Sequence, residues 1–356
     1  MHICSRFRFF LWMLPVLLSS LACNYVTRLI LPSTAVPSPT STIVPSATLP
    51  PTASPTPTPE FRAACPSLLS DIVSAATTDD QDLELFSTRR RNVEEQDLRY
   101  AVNYSLKDDL LHVRTDISVP NDVESELDAR TTHEQIWNYF ASLIPVSERG
   151  FLVEFSVMSD GASNILAGVR RTHEDPNTWM LRVDVLDARD QHQLTYTLMH
   201  EYGHLLTLES SQVTLDRSVY LDPDDQEVYE RAQAACPNYF SRDGCSLPDS
   251  YLSEFFSRYW SSFFLEWQKI DNAHDDPSYD SMLHDFYKIY ADQFLTEYAA
   301  TSPEEDIAES WAFFILSEKP ELDSIAHEKI LFFYEYPQLV ALRQEILTRL
   351  CVEFPQ

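Results

Sequence analysis

Residues 200–204 read His200-Glu201-Tyr202-Gly203-His204. On a helix, positions four apart share a face, so both imidazoles can reach one ion. Glu201 stands next to His200, where a carboxylate just beyond bonding distance can take a proton from water and pass it on. Leu194, Leu198, Leu205, Leu206 and Leu208 give the surroundings apolar faces, which predicts a buried helix over 191–209. Gly203 lowers helix propensity but permits a close backbone approach. The competing explanation is a chance pentapeptide on an ordinary helix. Chance supplies only ~0.02 such matches in a chain of this composition. Two imidazoles and a carboxylate are also costly to bury without a ligand.

A catalytic zinc ion (Zn2+) needs a third protein ligand and one open position. No histidine follows His204 at the spacing of a longer HExxHxxGxxH motif. The best distant candidate is the stretch Tyr298 to Trp311, in which Ser302 reads as an N-cap, Pro303 as the first helical residue and Glu305 as the third. Glu305 and Glu309 are then four apart on one face. One can bind the metal while the other orients a ligand histidine through its second nitrogen. The plainer alternatives are that Glu305 only completes a capping box with Ser302, that Glu309 is the ligand instead, and that Tyr298 is an ordinary tyrosine.

The two motifs together resemble the gluzincin metallopeptidases, most closely the lethal-factor-type peptidase domain. That domain pairs an HExGH helix with a Tyr-x-x-Thr-x-x-x-Glu-x-x-Ala-Glu segment, and both patterns stand here at 200–204 and 298–309. The resemblance covers 190–209 and 298–311. It implies zinc ligands His200, His204 and Glu305, a general base at Glu201, an oxyanion-stabilising phenol at Tyr298, and support of a ligand histidine by Glu309. The 101 positions from His204 to Glu305 are more than the resemblance leads one to expect. The extra length holds Cys236 and Cys245 and predicted helices, so substrate preference does not carry over.

The elements around these motifs predict an α+β fold: a zincin-like domain with a small mixed sheet and a mostly helical C-terminal half. A helix is expected over 66–77. Tyr100–Leu106 and Leu110–Val119 read as a hairpin, 121–144 as a helix, and Phe151–Met158 and Trp179–Leu186 as strands. The Trp179–Asp187 segment, just before the HExxH helix, is the expected edge strand for an extended substrate. Beyond 191 the chain reads as helices over 191–209, 222–235, 249–270, 279–298, 303–317 and 321–350, with breaks at prolines. The aromatic series Phe255 to Phe264 reads as core, and Asp222-Pro223-Asp224-Asp225 as a solvated loop rather than a calcium site.

Residues 1–23 read as a secretory signal: Arg6 and Arg8, an apolar stretch from Phe9 to Leu18, then small residues before Cys23. Leu18 to Cys23 resembles a bacterial lipobox, although its leucine is not in the usual place. Lipid on Cys23 would tether the chain outside a bacterial cell; plain secretion and an uncleaved anchor are the alternatives. Residues 24–60, rich in Pro, Ser and Thr over 31–59, read as a disordered spacer. The folded part is then 61–356. Its remaining cysteines predict two disulfides, Cys236–Cys245 and Cys65–Cys351. That part carries 23 basic and 54 acidic side chains, net −31. Such a balance argues against nucleic-acid binding and for attraction of basic or neutral peptides. The five glycines form neither a GxGxxG turn nor a P-loop, and no GxSxG elbow occurs. The expected function is an extracytoplasmic, membrane-tethered zinc metalloendopeptidase acting on a peptide or protein. The alternatives are cleavage of another amide and a non-catalytic surface module with a peptidase-like fold.

Overall fold

The hairpin forms because two aspartates tolerate a backbone that most residues avoid. A computed structural model, describing residues 71–73, 98–160, 165–242, 244–274 and 276–353, places Asp108 and Asp109 at φ 50° and 65°. Two successive positive φ values match the twist of flanking strands, and Asp reaches that region more readily than most residues. Strands β1 (Tyr100–Lys107) and β2 (Leu110–Ser118) therefore pair antiparallel. Helix α1 (Arg130–Leu143) follows, nine residues later than expected. Residues 127–128 are committed elsewhere: Asp128 accepts from the Tyr100 hydroxyl at 3.1 Å and from Arg114, and Leu127 O meets His133 Nε2 at 2.7 Å. Side-chain bonds of this kind compete with helix formation.

Strands β3 (Leu152–Ser159), β4 (Ala167–Arg171) and β5 (Trp179–Asp184) complete a five-stranded mixed sheet, in the order β2-β1-β3-β5-β4. β1 is antiparallel to β3, β3 parallel to β5, and β5 antiparallel to β4. The central pair buries Phe155, Val157, Leu181 and Val183 completely, as strands covered on both faces do. The expected edge strand is thus corrected. β5 is internal, and the edge beside it is the short β4, whose polar and glycine-containing sequence gave no strand signal.

The HExxH helix is α2 (Gln191–Leu208), capped by Asp190, which accepts from His192 N and Gln193 N at 3.0 and 3.1 Å. Strand β6 (Val213–Leu215), α3 (Arg217–Leu221) and α4 (Gln226–Ala235) come next. Strand β7 (Gly244–Ser246) then pairs with β6. Helices α5 (Tyr251–Tyr259) and α6 (Phe264–Asp271) replace the single helix expected over 249–270. Helix α7 (Tyr279–Ile289) stops at Tyr290, whose ring stacks on Phe263 at 4.8 Å, short of the expected end at 298. Helix α8 (Pro303–Leu316) carries the second motif; α9 (Ile325–Phe332) and α10 (Pro337–Glu353) close the chain. Pro337 opens α10, so the stretch from 321 is two helices. The overall class is α+β, a mixed sheet followed by a helical half.

Cys236 and Cys245 form the expected disulfide, with Cα atoms 5.5 Å apart. The expected signal, Cys23, the spacer and Cys65 lie outside the described residues, as does the Cys351 side chain. Of the helix expected at 66–77, residues 71–73 are described and helical. Among the described residues, no helix is long and apolar enough to cross a membrane.

Candidate metal centre

α2 and α8 share the most extensive helix–helix contact of the domain. Gly203 allows it. A Cβ there would lie 3.0 Å from Ala308 Cα and 3.1 Å from Trp311 Cδ1. Contacts that tight force a shift. The absent side chain at the fourth position of HExxH thus lets the two motif-bearing helices come together.

At this crossing His200 Nε2 lies 3.1 Å from His204 Nε2 and 3.0 Å from Glu305 Oε2. His204 Nε2 lies 3.2 Å from the same carboxylate oxygen. The spacing suits one ion: donors ~2.0–2.1 Å from a tetrahedral zinc lie roughly 3.3 Å from each other. Among the described residues these three are the group that could hold a metal ion. Ser302 caps α8 as expected, accepting from Glu305 N at 3.2 Å, and Pro303 is the first helical residue. The cap uses the Glu305 backbone, while the Glu305 carboxylate faces the imidazoles.

Glu309 stands on the other side of His200 from Glu305. It lies one turn further on, and its Oε1 meets His200 Nδ1 at 2.7 Å. The Nδ1–H donates to that carboxylate, so the proton on Nε2 is the one an ion would replace, and its loss turns the Nε2 lone pair toward His204 and Glu305. Glu309 Oε2 accepts from the Tyr196 hydroxyl at 2.8 Å and from Thr296 Oγ1 at 2.7 Å. Sequence reasoning missed both donors; only Tyr196, one helical turn before His200, sat where periodicity could have suggested it. Glu201 is buried on α2 at 7 % exposure. Tyr298, in a 3-10 turn over Tyr298–Thr301, places its ring centroid 5.6 Å from that of His200. The structure therefore gathers His200, His204, Glu305, Glu309 and Tyr298 in one place.

The electrostatics are those of a cation site. Burial disfavours charge on His200, but hydrogen bonds to Glu305 and Glu309 outweigh it and raise its pKa to about 10. Burial opposes ionisation of Glu305 as well, yet His204 and His200 hold its carboxyl well below the ordinary range. Glu309 is also lowered: the His200, Thr296 and Tyr196 bonds overcome its burial. Without metal, a proton occupies the place a cation would take.

A second buried network, also unforeseen, begins one residue after Glu305. Asp306 Oδ2 accepts from Lys329 Nζ at 2.5 Å and from Trp260 Nε1 at 2.7 Å. Lys329 also donates to Gln293 O at 2.5 Å, and both charged side chains are fully buried.

Comparison of the chain with protein-family models, with curated proteins and with solved structures yields no match.

Proposed function

We propose that this chain is an extracytoplasmic zinc metalloendopeptidase of gluzincin type, with a zincin-like domain tethered to a membrane by lipid on Cys23. The observation that carries the reading is the convergence of His200 Nε2, His204 Nε2 and the Glu305 carboxylate, with Glu309 on the far nitrogen of His200. Two imidazoles and one carboxylate suit zinc and leave a position open for water or substrate. Zinc bound there supplies Lewis acidity, polarising a carbonyl and making water more acidic. Glu201 takes the proton of the attacking water and delivers it to the departing amine. Tyr298 donates its phenolic hydrogen to the oxyanion that develops on the scissile carbonyl. Glu309 keeps the His200 proton on Nδ1, with Tyr196 and Thr296 fixing the carboxylate. The substrate is a peptide or protein segment lying extended along the β4 edge, with basic or neutral chains favoured by the net acidic charge.

Elemental analysis of the purified full chain tests the metal, and a peptide mixture tests the chemistry. One zinc per chain is expected in the wild type and is lost in Glu305→Gln. Glu201→Gln is expected to keep zinc and lose cleavage. A folded, zinc-supplemented wild type holding no zinc would overturn the reading and leave the binding-module alternative. Cys23→Ser is expected to move the protein from the membrane to the soluble fraction.

A further inference from the structure

The stretch between the two motifs returns to the second motif at three points, two of them at the residues flanking Glu305. Tyr239 donates its hydroxyl to Glu304 Oε2 at 2.9 Å. Trp260 Nε1 donates to Asp306 Oδ2 at 2.7 Å, and Trp267 Nε1 to Thr301 O at 3.2 Å. The residues just before and just after Glu305 are therefore both held from the inserted stretch, as is the turn leading into α8.

Tyr239 lies inside the loop closed by Cys236–Cys245. The loop is tied in turn to the exit of α2. Cys245 stands opposite Thr214 in the β6–β7 pair. Ser246 N donates to Tyr239 O at 2.9 Å. A Cβ on Gly244 would lie 2.5 Å from Thr214 O, so only glycine allows this approach. A continuous path thus runs from the helix bearing His200 and His204, through β6, β7 and the cross-linked loop, to the first turn of the helix bearing Glu305.

We infer that the disulfide-closed insertion braces the third metal ligand, with Tyr239 as its positioning residue. The inference rests on the metal centre proposed above. It assigns the insertion the task of holding the Glu305 carboxylate where two histidines on another helix need it. Removing a group bonded directly to a metal ligand typically costs tenfold or more in affinity; Tyr239 acts one residue away, through Glu304, so the low end of that range is expected.

The test is a zinc titration of the full chain against a competing chelator, with thermal unfolding of each metal-free variant alongside. Tyr239→Phe removes one hydroxyl and keeps the ring stacked on Phe256 at 4.4 Å. Tyr220→Phe is the control: that phenol lies in the same insertion but donates to Thr172 O at 3.0 Å, away from α8. Tyr239→Phe is expected to weaken zinc binding about tenfold, and Tyr220→Phe to leave it unchanged. The double variant Cys236→Ser/Cys245→Ser is expected to weaken zinc in the same direction as Tyr239→Phe. Wild-type affinity in Tyr239→Phe, or equal weakening in Tyr239→Phe and Tyr220→Phe, would overturn the brace while the metal centre stands. No zinc in the wild type would remove the centre and the brace together.

Discussion

Glu309 and Asp306 stand three residues apart on α8, both buried, and both accept bonds from distant elements. Glu309 has partners on both oxygens and is held below the ordinary carboxylate range. Asp306 takes Lys329 and Trp260 on one oxygen, and its Oδ1 is buried with no hydrogen-bond partner. Burial pushes its pKa up to about 6, against Lys329 and Trp260, and pushes Lys329 below its usual value. A buried carboxylate is thus secured by bonds to all of its oxygens, and one opposite charge at 2.5 Å does not replace them. The Glu309 network orients His200. The Asp306 network joins α8 to α9 and α5.

The comparison breaks most visibly at Lys329. Lys329→Met leaves Asp306 buried and unpaired, and should lower the unfolding free energy by about 3–5 kcal/mol in denaturant titrations. Adding Asp306→Leu should recover most of that loss; failure to recover would mean the ion pair itself stabilises the fold. Glu309→Gln should act on the other quantity, weakening zinc by about 10–100-fold while the metal-free protein still folds. Gly203→Ala presses on Ala308, which lies between the two carboxylates, and should cost about 1–3 kcal/mol of stability.

The pH dependence sharpens the contrast further. His200 in the metal-free protein is raised from 6.5 to about 10. Its contribution to stability is therefore fully present below pH 6.5 and lost as pH rises through 10. Glu305 and Glu309 are lowered, so their contributions are present above 4.5 and lost as pH falls. Metal-free protein should be most stable between these two values and weaken toward pH 10. Zinc must displace the His200 proton, so its affinity should rise about tenfold per pH unit from neutral pH toward 9. Calorimetry in buffers of different protonation enthalpy should count about one proton released. The smallest effect is expected from Thr296→Val, which removes one of the donors to Glu309 and should cost ~1 kcal/mol.

Much of the candidate site was legible because its spacing is local. His200 and His204 share one helix face, and Ser302-Pro303 marks the start of the helix that presents Glu305 and Glu309. What joins the two halves carries no such signal. Tyr196, Thr296 and Tyr239 find their partners across as many as 113 positions. A buried Lys329 looks like any surface lysine until Asp306 is placed against it. The same limit governs the sheet. The hairpin was readable from its turn, but the edge position of β4 follows only from pairing with a strand that comes later in the chain. The helix expected from 121 failed because Asp128 serves Tyr100 and Arg114 instead of the helix.

The 101 positions from His204 to Glu305 also order events in time. An unfolded chain offers His200 and His204 as neighbours, but bringing Glu305 to them requires closing a long loop at an entropic cost. The complete set of donors therefore exists only once α2 and α8 have docked. An ion that prefers three donors to two binds the native chain over the unfolded one and slows its loss by mass action. Refolding with and without zinc should accordingly show equal early rates, with the ion altering only how long the finished domain survives.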